Sequence, residues 1–338
     1  MQEYPERTAD EPAGAAEPAP VPGNTATPAT GADPATTADP GHDTAAVLDF
    51  WRALDLPGLI DVHTHFMPRR VLDKVWQYFD SVGPLVGRPW PIAYRHDEET
   101  RIGILRGFGV RAFSSMLYPH KPDMAAWLNS WAADFAARTP DCLHTATFYP
   151  EPGAGDYVDA ALHAGARVFK SHVQVGDYSP DDPLLDPVWG RLSDAGAPTV
   201  IHCGSGPAPG TFTGPGPVRR LLARFPRLPL IVAHMGMPEY PEFLDLAERY
   251  EHVHLDTTMA FTRFTEETLP FDPGQRPRLR GLQHKILHGS DYPNIPYPYA
   301  ESLDALGRVG LGDDWLRDVC FHNAARLFGL DDSGRPRR

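Results

Sequence analysis

The chain has 338 residues, 42% of them hydrophobic and 22% charged, which is enough for one large globular core with segments to spare. Its formal net charge of −13, with no basic run, argues against a phosphate-binding surface and so against nucleic acid as a partner. Cys142, Cys203 and Cys320 form no C-x-x-C pair and no even framework, which argues against a disulfide scaffold and sets the expectation of a reducing, cytoplasmic setting. No stretch is long and apolar enough to span a bilayer, and the first residues show no signal-peptide core, so no membrane partner is expected.

Residues 1–44 are rich in Ala, Pro, Thr, Gly and Asp and nearly free of aliphatic and aromatic side chains. Such a segment cannot bury enough surface to offset its ordering entropy, and a disordered tail is expected there, with one domain over 45–332. A short helix over 47–54 leads through Pro57-Gly58 into Ile60-Asp61-Val62-His63-Thr64-His65-Phe66. The alternation in this stretch reads as a strand with Asp61, His63 and His65 on one face. Two imidazoles one strand repeat apart can grip a single ion.

An insertion follows, with a helix over 70–79 and a Gly/Pro/Trp-rich passage over 83–91, and passages of this kind often act as lids. Trp76, Trp90 and Tyr94 are its candidates for walling off a pocket. Further strands are expected over 110–117, 143–149, 167–173, 199–203, 228–234, 252–257 and 285–291. Helical patterns lie between them over 124–138, 157–164, 184–195, 217–224, 240–250 and 261–268, and two closing helices are expected over 300–330. Eight strands, each followed by a crossover, predict a (β/α)8 barrel of the TIM type rather than an open doubly wound sheet. No G-x-G-x-x-G follows the first strand, which weakens a dinucleotide-binding reading further.

In such a barrel the reacting groups sit at the C-terminal strand ends, and the polar residues fall there one after another. The first strand ends in His63 and His65, and the fourth carries Lys170 and His172. The fifth ends in Ile201-His202-Cys203-Gly204, the sixth in Ala233-His234-Met235-Gly236 and the eighth in His288-Gly289-Ser290-Asp291-Tyr292-Pro293. Any one of these has a structural explanation, but their joint occurrence points to one metal-binding pocket.

These segments, with the closing Asn323-Ala324-Ala325-Arg326-Leu327-Phe328-Gly329-Leu330, resemble the amidohydrolase superfamily, nearest the branch that includes aminocarboxymuconate-semialdehyde-type decarboxylases. The resemblance runs from about residue 57 to 330. It implies His63, His65, His202 and Asp291 around one divalent ion, with His234 beside it as the acid/base. Three imidazoles and a carboxylate suit Zn²⁺, with Fe, Mn and Ni as alternatives. A bound water is then acidified toward a pKa of ~7, and Asp291 would both ligate and accept its proton.

Lys170 is open to three readings: a cation for a substrate carboxylate, a lysine paired with a barrel carboxylate, and, as a minority option, a carboxylated bridge to a second metal. His172 lines the pocket or supports a neighbour, and His120, on the loop after the second strand, either touches substrate or stands in solvent. The expected activity is hydrolysis of an amide, lactone or ester-like bond of a small molecule, carboxylated ones included. Non-oxidative decarboxylation at the same site is the alternative, and a homodimer is an open option.

Overall fold

The computed structural model describes residues 40–335, with side chains from residue 42 onward. The expected tail therefore lies outside the described residues up to position 39. From there the boundary moves, because a helix runs over Pro40–Ala53 and begins earlier than its apolar residues suggest. The reason is Asp43, which is buried and accepts from the Tyr94 hydroxyl and from the Tyr299 and Ala300 N–H groups. That carboxylate ties the helix to the start of the far helix Tyr299–Val309.

The strands are β1 (Leu59–Asp61), β2 (Val110–Ser114), β3 (Cys142–Leu143), β4 (Thr145–Thr147), β5 (Val168–His172), β6 (Thr199–His202), β7 (Leu230–Val232), β8 (Val253–Asp256) and β9 (Ile286–Leu287). All pair in parallel and in chain order, β1 to β3 in one set and β4 to β9 in another. β3 and β4 are the two halves of the expected third strand, parted at His144. Beyond the ladders the outer edges are tied together. Val62 N–H donates to the His288 carbonyl (3.0 Å), Asp291 N–H to that of His63 (2.9 Å) and His65 N–H to that of Tyr292 (2.7 Å). The architecture is the (β/α)8 barrel that the alternating pattern predicts.

A parallel barrel strand is covered on both faces, by helices outside and by packed side chains inside. β1, β4, β5, β6 and β7 are accordingly buried at every position. The alternation over 60–66 thus marks no wet face: Asp61, His63 and His65 are as deeply buried as Ile60 and Val62. The strands are also shorter than expected. β1 ends at Asp61 and β7 at Val232, so His63, His65 and His234 stand on the turns just past the ladders, while His172 and His202 close β5 and β6 as ladder partners.

The insertion after β1 is largely helical. A helix spans Arg69–Ser81, a short one Gly83–Val86 and a third Glu98–Gly107. The third was not expected, although Asp97 caps it by accepting from Thr100 N–H (2.8 Å) and two glutamates follow in its first turn. Trp76 and Trp90 donate their indole N–H groups to the Asn294 side chain (3.1 Å) and carbonyl (2.7 Å), which fastens the insertion to the segment beyond β9. Only Trp90 of the three expected wall residues lines the central cavity; Trp76 packs in a cluster with Met67, Leu72 and Leu128, and Tyr94 holds Asp43. No helix among the described residues is long and apolar enough to cross a membrane.

Candidate metal centre and proton-transfer site

Past the end of β1, His63 and His65 face Asp291, which follows β9. Among the described residues these three form the group whose ligand atoms all lie within 4.8 Å of one another. Each imidazole is oriented by its other nitrogen. His63 Nδ1 lies 2.9 Å from Asp256 Oδ2, an acceptor, so the proton sits on Nδ1 and the Nε2 lone pair faces the centre. His65 Nδ1 lies 2.6 Å from the Met116 carbonyl and is fixed in the same way.

This leaves His65 Nε2 and Asp291 Oδ1, two acceptors, 2.9 Å apart, with His63 Nε2 3.5 Å from the same oxygen. Converging lone pairs without a proton between them are relieved by a cation, so the donor set fits a divalent ion. Burial pushes the Asp291 carboxyl up, but the close His65 ring, with His234 and His63 behind it, outweighs burial and holds the group ionised, well below the usual carboxylate range. Burial, reinforced by Lys170, lowers His63 to about 4 and keeps it neutral, as a ligand must be.

His234 occupies a turn of unusual backbone. It and Met235 adopt left-handed φ values of 54° and 53°, and Asp291 one of 73°. For residues other than glycine such conformations cost ~1–3 kcal/mol each and persist where the surroundings over-determine them. The surroundings here are Asp256 Oδ1, which accepts from His234 N–H (2.9 Å), and Phe243, against which Gly236 packs so closely that a Cβ there would stand 2.0 Å from its ring. His234 Nδ1 lies 3.1 Å from the Thr258 carbonyl, so Nε2 is the nitrogen free to exchange protons. Burial lowers its pKa to about 4, and a metal cation nearby acts in the same direction.

The remaining predicted residues gather around this centre. Lys170, fully buried on β5, places Nζ 3.1 Å from His63 Nε2. Burial brings its pKa down to about 8, against the opposing pull of Asp256 and Asp291. His202 lies outside the three-residue group: its Nε2 is 3.2 Å from the Gly206 carbonyl. Its ring stacks on His172 at 4.2 Å and meets His234 at 4.6 Å. His172 accepts from Val175 N–H (3.3 Å) and also touches Tyr118. His120 is exposed on the cavity's rim.

Asp256 was not singled out from sequence, yet it joins three parts of the site. One oxygen orients His63 while the other accepts from His234 N–H and from Thr258 N–H (3.1 Å). Burial raises its pKa, but His63 more than compensates and keeps it ionised, well below the ordinary range. The signal was present, since Asp256 ends an apolar alternation as the histidines do. Asp61 beneath the site accepts from His63 N–H (3.1 Å), Ser290 Oγ (2.6 Å) and Tyr299 OH (2.8 Å), and burial raises it to about 7. Arg101, buried on the unexpected helix, donates to the His65 carbonyl (3.2 Å).

The site opens into a cavity of about 1190 Å³. His63, His65, Lys170, His172, His202, His234 and Asp291 all line it, so every residue singled out for chemistry borders one space.

Three solved structures share the fold. An uncharacterized TIM-barrel protein from Bordetella bronchiseptica is 20% identical with a TM-score of 0.66, the match covering 82% of this chain and 100% of that one. A 5-carboxyvanillate decarboxylase from Novosphingobium aromaticivorans, complexed with manganese and 4-hydroxy-3-methoxy-5-nitrobenzoic acid, is 18% identical with a TM-score of 0.54, covering 81% and 97%. A probable 2-pyrone-4,6-dicarboxylic acid hydrolase from Acinetobacter baumannii is 14% identical with a TM-score of 0.53, covering 81% and 100%. No curated protein sequence matches the chain. The sequence model of the amidohydrolase family matches residues 60–330, the whole of the barrel from β1 to the closing helices, and the chain belongs to that family of metal-dependent enzymes.

Proposed function

We propose that the protein is a metal-dependent hydrolase that cleaves an amide, lactone or ester-like bond of a small molecule. The observation that carries this reading is the convergence, in one cavity, of the His63, His65 and Asp291 acceptor atoms with the free Nε2 of His234. A divalent ion held by those acceptors supplies Lewis acidity to a carbonyl oxygen and to water. His202, in contact with His172 and His234, is a further imidazole available to the ion.

Asp291 accepts the proton of the attacking water, and His234, which starts neutral, relays it through Nε2 to the departing atom. Thr258, by holding Nδ1–H, keeps that ring edge turned to the substrate. Lys170 Nζ, beside His63, binds the oxygen on which negative charge builds. The imidazole-rich donor set favours Zn²⁺, while the manganese in the similar decarboxylase makes Mn²⁺ the alternative. That decarboxylase also supports a second reading, non-oxidative release of carbon dioxide from a carboxylated substrate at the same centre.

Elemental analysis of the purified protein, followed by parallel screens for hydrolysis of amides and lactones and for carbon dioxide release from carboxylated aromatics, separates the two. Hydrolysis that His234→Gln lowers by ~10²–10⁴-fold, with metal content unchanged, is the expected result. Carbon dioxide release without hydrolysis establishes the second reading instead. Full hydrolytic turnover by His234→Gln overturns the assigned role.

A further inference from the structure

Large hydrophobic side chains rarely stand exposed together at a catalytic mouth without a use. Among the described residues four are markedly exposed, and three of them, Tyr78 at 49%, Leu85 at 61% and Val175 at 40%, belong to the lining of the active-site cavity. Two come from the insertion after β1 and one from the turn after β5, so separate parts of the chain form one rim. The same lining holds buried apolar side chains, Trp90, Met237 and Met259 each less than a tenth exposed, with Arg70, Lys74, Arg88 and Lys121 among the residues beside them. The cavity of about 1190 Å³ exceeds the ~300–1,000 Å³ typical of pockets for small ligands.

We infer that the substrate is amphipathic, with a carbonyl-bearing head at His63, His65, Asp291 and His234 and an apolar body longer than a single ring that runs past Trp90, Met237 and Met259 to the rim. The inference rests on the proposed hydrolysis for the identity of the head, and on the wall alone for the body. The occupant of the rim is the substrate rather than a second protein, because Tyr78, Leu85 and Val175 line the same cavity as His63, His65, His234 and Asp291. Met237 and Met259 suit such a body, since thioether side chains adapt to chains of differing shape. The insertion then determines specificity by length and apolarity.

The test uses γ-lactones whose alkyl substituent lengthens from methyl to octyl, with the metal-loaded enzyme. kcat/KM is expected to rise at least tenfold across the series, and in Tyr78→Ser, Leu85→Ser the long-to-short ratio is expected to fall at least fivefold. Titration calorimetry with butanoate and decanoate reads the same surface without turnover, and decanoate is expected to bind at least tenfold more tightly. A flat lactone series with equal binding of the two acids overturns the inference and leaves hydrolysis standing. If no lactone is cleaved, the proposed reaction fails while the acid titrations still decide the inference. Concentration-dependent dimerisation that abolishes decanoate binding gives the rim to a second copy and overturns it.

Discussion

Replacing Asp256 by Asn tests how the centre is organised while changing its volume hardly at all. Asp256 is fully buried, with Oδ2 2.9 Å from His63 Nδ1 and Oδ1 accepting from His234 N–H (2.9 Å) and Thr258 N–H (3.1 Å). An asparagine that keeps its oxygen on the two backbone donors presents its NH₂ to His63. The ring must then move its proton to Nε2, and the lone pair that faces the metal is lost. Turned over, the amide keeps His63 but sets its NH₂ against two N–H groups. Loss of such an orienting partner costs ~10–100-fold in metal affinity, equivalent to about 1.4–2.7 kcal/mol. Competition against a chromophoric chelator at fixed pH measures the affinity, and a thermal melt checks that the fold survives. Asp256→Ala is a poorer probe, because it strands three buried donors at ~1–3 kcal/mol each. Metal affinity within twofold of the wild type in Asp256→Asn refutes the orienting role.

Gly289→Ala places a methyl group 2.2 Å from Thr258 Oγ1 and 2.8 Å from His63 Cβ. The crowding costs ~1–3 kcal/mol and displaces His63, so the purified variant should carry less than half the wild-type metal, and full stoichiometry by elemental analysis would contradict the packing. His254, away from the centre on β8, is lowered to about 4 by burial and by the nearby Lys285. Between the unfolded value of ~6.5 and that folded value, the unfolded chain takes up a proton that the folded chain refuses, so stability falls as pH drops through the window. The loss reaches about 2 kcal/mol by pH 5. Urea midpoints at pH 7 and pH 5 should therefore differ less in His254→Gln than in the wild type, and an equal difference counts against the burial argument.

The barrel and its polar strand ends were legible because they are local signals. Apolar runs of strand length recur at barrel spacing, and a histidine or aspartate followed by Gly or Pro breaks each run where the chain must turn. His63, His65, His234 and Asp291 were found on that basis and line one cavity. The helix Glu98–Gly107 was also legible, through Asp97 and the two glutamates after it, but it lies between the passage over 83–91 and the strand expected at 110, where no element was expected. Trp76 and Tyr94 looked like Trp90 in sequence, and only packing sent the first to Asn294 and the second to Asp43.

By itself the sequence determined the fold, the number of βα units and the residue types able to hold a metal or exchange a proton, since these follow from periodicity and from side-chain chemistry at turn positions. The tertiary structure alone decided which nitrogen of each imidazole faces the ion. That choice is made by Asp256, 193 positions from His63, and by the carbonyls of Met116 and Thr258, and a backbone carbonyl carries no residue-type signal. It also brought the His63, His65 and Asp291 acceptors together and stacked His202 on His172 beside them, because strand order and register join those atoms across the barrel mouth rather than along the chain.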